Sequence, residues 1–127
     1  MKTKALLSLA AVCSAGLSVG QAAVVLSGTQ YQQNFDGLAG GLPTEWSVKT
    51  GATSSGLGSD ATYVSTATSW ATATGNFRNA ASADGLTSSA SATTQSGSTD
   101  RALAIRQTGA FGDPGAAFML AIQDTLG

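Results

Sequence analysis

An all-β fold is the class predicted by this 127-residue sequence, and three observations carry it. Segments 101–107 and 116–123 alternate bulky apolar residues with small or polar ones, the period of a pleated strand. Between them Asp113-Pro114-Gly115 has the composition of a tight turn, with Pro presetting φ and Gly tolerating a positive φ. Further upstream, short β-branched and aromatic runs are bounded by Gly, Pro, Asn and Asp, as strands usually are. The expected architecture is an incomplete, jelly-roll-like β-sandwich that follows a helical signal peptide.

The leader is read from residues 1–22. Lys2 and Lys4 give a charged start, residues 5–19 an apolar stretch, and Gly20-Gln21-Ala22 places small residues where a signal peptidase reads them, so cleavage is expected after Ala22. An uncleaved anchor fits poorly, since Ser8, Ser14, Gly16 and Ser18 interrupt a stretch that would need about 20 apolar residues to span a bilayer. Cys13, the one cysteine, lies within the leader, and Val12 stands where a lipidation site would carry a small residue. The mature domain, 23–127, then has neither cysteine nor histidine. That excludes disulfides, Cys/His zinc sites and His-dependent acid–base chemistry from it, and no cofactor is expected.

Without Lys2 and Lys4, four basic residues (Lys49, Arg78, Arg101, Arg106) face seven acidic ones, a net charge of −3. Such a balance disfavours nucleic acid and anionic membrane as partners. Solubility falls to Ser, Thr, Asn and Gln.

Along the mature chain, residues 24–26 form a β-branched run. Residues 29–35 put Tyr31, Gln33 and Phe35 on one face and Gln30, Gln32 and Asn34 on the other, which predicts a half-buried edge strand. Asp36-Gly37 and Gly40-Gly41 mark turns, and Leu42-Pro43 leads in extended form to a strand at Trp46-Ser47-Val48. Over 50–99 the composition shifts to low complexity, with Ser, Thr, Ala and Gly at thirty-eight of fifty positions. Short strands or ordered loops are expected there around Tyr63, Trp70 and Phe77, and the barest part, 86–98, is expected to be the most mobile. Segment 101–107 sets Leu103, Ile105 and Gln107 against Ala102, Ala104 and Arg106. After a type II turn with Gly115 at positive φ, 116–123 follows with Phe118, Leu120 and Ile122 on one face. These two segments are expected to pair across the turn. Six or seven candidate strands fall short of the roughly eight of a jelly roll, so the chain is expected to be the amino-terminal part of a longer protein, only marginally stable when 23–127 stands alone.

Gln33-Asn34-Phe35-Asp36-Gly37-Leu38, Leu42-Pro43-Thr44-Glu45-Trp46, Thr99-Asp100-Arg101-Ala102-Leu103 and the run from Arg106-Gln107-Thr108-Gly109-Ala110-Phe111 through Gly112-Asp113-Pro114-Gly115-Ala116-Ala117-Phe118 resemble a module of secreted bacterial proteins. It is similar to the amino-terminal β-sandwich of proteins ending in a PEP-CTERM or related sorting signal, which also precedes lamin-tail or nuclease/phosphatase domains. The resemblance implies a fold and a secreted or cell-surface location, and it assigns no catalytic residue.

Candidate sites are few. Trp46, Trp70 and Tyr63 have the ring types of a sugar-stacking platform, but in a chain with eight aromatics the core has first claim on them. Asp36, Asp100 and Asp113 supply loop oxygens of the kind that hold calcium, yet no dense Asp-x-Asp pattern is present and single loop aspartates usually close turns. Glu45 and Asp100 are the one carboxylate pair to test for glycoside hydrolysis, and nothing in their spacing selects them. Arg101 and Arg106, five apart in a strand, fall on opposite faces and form no anion clamp. The expected function is therefore that of a non-catalytic exported module with a structural, adhesion or carbohydrate-facing role, its partners glycans or cell-surface polymers. The alternative is an ancillary head of a secreted hydrolase, a nuclease or phosphatase, whose catalytic domain lies beyond residue 127.

Overall fold

The computed structural model describes residues 22–26, 28 and 30–125. The leader expected over 1–22, Cys13 included, lies outside these residues except for Ala22. Among them the chain is mostly β. The described residues form eight strands, β1 Val24–Leu26, β2 Trp46–Thr50, β3 Ser59–Asp60, β4 Tyr63–Thr68, β5 Asn76–Ala81, β6 Arg101–Arg106, β7 Ala117–Leu120 and β8 Ile122–Asp124, together with one helix, α1 Ala92–Gly97, and a 3-10 turn at Leu38–Gly40.

Three small sheets result, ordered β1-β8, β3-β2-β7 and β4-β5-β6. In the last, β5 runs parallel to β4 and antiparallel to β6. Because β5 is central and covered on both faces, Phe77, Arg78, Asn79, Ala80 and Ala81 are all buried. Phe77, fully buried, packs edge-on against Phe111 and Phe118 with ring centroids 5.5 Å apart in each pair. Phe118 belongs to β7, where it is paired with the buried Val48 of β2, so this aromatic contact joins the two three-stranded sheets. Edge-to-face geometry suits the ring quadrupoles and adds about 0.5–1.5 kcal/mol to the burial itself.

The register of β4 on β5 slips between Val64 and Ala67. Ser65 and Thr66 are left without partners in β5, as the extra residues of a β-bulge are. This bulge shapes the site described below.

Several sequence expectations are corrected. Segment 29–35, with Thr29 outside the described residues, is not a strand. Its alternation is real in exposure, since Tyr31, Gln33 and Phe35 are half-buried while Gln32 and Asn34 are exposed, but among the described residues no neighbouring strand pairs with it. The extended run ends at Phe35, which has φ 61°, a value uncommon outside glycine. Side chains fix that segment instead: Trp46 Nε1 donates to Tyr31 Oη at 3.0 Å, and the Phe35 and Trp46 rings meet edge-on at 5.0 Å.

Segments 101–107 and 116–123 do not pair with each other. Strand β6 spends its ladder on β5 and β7 spends its own on β2, because the chain between them crosses from one sheet to the other after a tight Thr108/Phe111 bridge. The second segment also divides at Ala121, whose N–H donates to Glu45 O at 3.0 Å while its carbonyl accepts from Val24 N at 2.9 Å. From there β8 pairs with β1.

The intervening turn is not type II. Ala116 N donates to Gly112 O at 3.2 Å, closing five residues, and the Asp113–Pro114 peptide is cis. Gly115 does take the expected positive φ, 94°. Its carbonyl accepts from Ala52 N at 3.0 Å.

Segment 86–98, expected as the most mobile, contains α1. Ser91 caps it, its hydroxyl accepting from Thr94 N at 3.1 Å, which satisfies one of the donors every helix start leaves open. Gln95 anchors it, only 5% exposed.

Candidate functional site

An open depression of about 610 Å³ lies over one face of the β4-β5-β6 sheet. The β4 bulge forms one wall, the chain after α1 the second, and the Asp36–Ala39 stretch the third. Buried Asn79 and Arg101 reach it from below.

Arg101 heads β6 opposite Ala81, next to Asn79 on the same sheet face. Its guanidinium donates to Asn79 Oδ1 at 2.7 Å, Asn79 O at 3.2 Å, Gln95 O at 2.9 Å and Ser98 O at 3.2 Å. Four of its five N–H groups are thereby committed to neutral carbonyl oxygens, and among the described residues it forms no ion pair. A buried cation survives only when such dipoles replace its hydration. Asn79 is held in turn by donating to Ser65 O at 2.9 Å, so the bulge, the central strand and Arg101 form one network.

Gln95 extends that network to the end of β4 and the start of α1. Its side chain donates to Ala90 O at 2.7 Å and accepts from Trp70 N at 2.7 Å.

At the third wall, Asp36 Oδ1 accepts the Arg101 backbone N–H at 3.1 Å and Oδ2 accepts from Asn34 Nδ2 at 2.8 Å. The left-handed backbone at Phe35 swings the Asp36 side chain toward β6. Below this wall, Tyr63 Oη donates to Leu38 O at 3.0 Å. Burial pushes the Tyr63 phenol up to about 12, against the opposing charge of Arg101, so it is a neutral donor at ordinary pH.

On the rim, the Asp100 carboxylate and the hydroxyls of Ser65, Thr66 and Thr99 have no hydrogen bond to another described residue, whereas Ser96 and Ser98 hydroxyls donate to Thr93 O and Asp100 O. The surface thus offers unengaged acceptors and donors above a buried floor whose polar groups are bonded to one another.

The sequence candidates divide accordingly. Asp36 and Asp100 do come together at the depression, while Asp113 lies in the 112–116 turn away from it, and among the described residues no three Asp, Glu, His or Cys side chains converge to hold a metal ion. Asp100 lines the depression without Glu45, whose neighbours are in the β2–β7 region. Trp46, Trp70 and Tyr63 do not line it. Each anchors structure through its polar atom: Trp46 to Tyr31, Trp70 Nε1 to Ala81 O at 2.9 Å, and Tyr63 to Leu38. Arg101 is buried and Arg106 exposed, on opposite faces of β6 as expected. Sequence reading missed Asn79, Gln95 and the Ser65/Thr66 bulge. Arg78-Asn79, two polar residues inside an otherwise apolar strand, was the available signal for the first.

Arg78 points to the other sheet face, where its Nη1 donates to Thr72 O at 3.1 Å and its Nε has no partner among the described residues. Burial, and then the neighbouring Arg106 charge, lowers its pKa. It does not line the depression.

Comparison of the chain with protein families, with characterised proteins and with solved structures finds no match.

Proposed function

We propose that this protein is an exported, non-catalytic β-module that faces carbohydrate, a sandwich of jelly-roll type with a structural or adhesive role at the cell surface. The observation that carries this reading is the character of the depression. It is a concave surface of ligand size with several unengaged hydroxyls and a carboxylate over a floor already saturated with hydrogen bonds. Neither the Asp36 nor the Asp100 carboxylate accepts a hydrogen bond from a rim hydroxyl, an arrangement that supports binding rather than nucleophilic attack. The export half of the reading rests on the leader sequence.

The test is secretion followed by retention. A tagged chain expressed in a Gram-negative host should appear in the periplasm or medium with Ala23 as its first residue, and should be held back on insoluble chitin, cellulose or peptidoglycan. Free passage through all three would refute the carbohydrate-facing role. Uncleaved protein in the membrane fraction would refute export by a cleaved leader.

A further inference from the structure

Resting on that reading, we infer that the depression takes a sugar unit without a carboxylate, neutral or amine-bearing, and rejects uronic and sialic acids. The cation that an acidic sugar would need is present but spent. Arg101 is 7% exposed and directs Nε, Nη1 and Nη2 to Asn79, Gln95 and Ser98 carbonyl oxygens, so an incoming carboxylate would have to displace bonds that hold the sheet to α1. What faces the opening is acceptor-rich. Asp36 and Asp100 are both exposed there, and they outweigh the single guanidinium to leave the lining at net −1.

Hydroxyl and ammonium donors satisfy carboxylates through charge-assisted bonds, whereas a ligand carboxylate meets repulsion. Ser65 and Thr66, released from the ladder by the bulge, add hydroxyls that donate to a ring oxygen or an acetamide carbonyl. Asp36 already accepts at both oxygens, while the Asp100 carboxylate accepts from no other described residue. Asp100 is therefore the ligand-binding carboxylate and Asp36 the positioning one.

Calorimetric titration of the purified protein with three soluble oligosaccharides tests this: N-acetylglucosamine oligomers, glucosamine oligomers and galacturonic acid oligomers. The first two are expected to bind and the third not. Asp100→Asn should weaken the glucosamine oligomer about tenfold, and Thr66→Val should weaken both binders by about threefold. Both positions are exposed, so an unchanged urea midpoint will show that the variants are folded. Preference for the acidic oligomer overturns the inference. Binding of the sugars with affinities unmoved by either variant overturns this site while leaving a carbohydrate-facing role in place. Binding of none refutes both.

Discussion

Replacing Arg101 by Met should destabilise the protein by about 3 kcal/mol. The substitution keeps much of the apolar stem and removes four hydrogen bonds. Ser98 O borders the open depression, where water takes over, and Gln95 O keeps the Ser98 N–H at 3.3 Å. Asn79 Oδ1 has no such recourse: Asn79 is 2% exposed and its amide oxygen accepts from Arg101. Stranding a buried acceptor costs about 1–3 kcal/mol, and removing one member of a buried charged network about 3–5 kcal/mol. Relief from burying a cation offsets part of this, which places the net near 3. Urea unfolding followed by Trp46 and Trp70 fluorescence gives the free energy at constant slope. The same replacement in an Asn79→Ala background should cost at least about 1 kcal/mol less, because its main orphan is gone. Arg101→Lys, which keeps the charge but not the planar fork, should lose about half as much and covers the case in which the Met variant fails to fold. A loss below about 1 kcal/mol, or an undiminished loss in the Asn79→Ala background, would refute the network.

Alkaline stability should depend on Tyr63. Its folded pKa of about 12 exceeds the ordinary phenol value of 10.0, so the folded state keeps its proton longer and stability falls as pH rises through that window. Tyr63→Phe should lose about 1 kcal/mol at pH 7 with the bond to Leu38 O and show a shallower alkaline decline; equal declines in the urea midpoint between pH 9 and 11 would refute the assignment. Gly115→Val should cost more than about 2 kcal/mol, since at φ 94° a Cβ would lie 2.5 Å from both Ala52 N and Ala52 O. Gly109→Ala, with nothing within 4 Å of its Cβ, should stay within about 0.5 kcal/mol; similar thermal midpoints for the two variants would show the turn to be wrongly placed.

Alternation made β2 and β6 legible, because Trp46/Val48 and Leu103/Ile105 each lie two residues apart and share a face. Tyr63 and Phe77 marked β4 and β5 within the Ser/Thr-rich stretch. That β4 and β5 run parallel had no local signature, since a seven-residue connection, 69–75, is shorter than such a crossover usually needs. Helix α1 hid in residues of middling propensity, although Ser91 was a readable cap. Over 29–35 the period of two is genuine without marking a strand, since alternating burial also arises when an extended chain lies on rings such as Trp46. The site was the least legible part. Asn79 and Arg101 stand 22 residues apart, and only antiparallel register brings them side by side.

The pairing of Val24 with Ile122 means that the smallest sheet is also the one with the longest loop to close. Closure entropy grows with every doubling of the intervening chain, by about 0.6 kcal/mol, and two isolated parallel strands give little in return. A chain delivered amino end first, from a ribosome or through an export channel, must hold β1 idle until β8 has emerged. Assembly is therefore expected to run from the middle outwards, with β4, β5 and β6 meeting early and the β1–β8 clasp closing last. By the same logic the clasp opens first, and hydrogen exchange at Val24–Leu26 should precede exchange in β5.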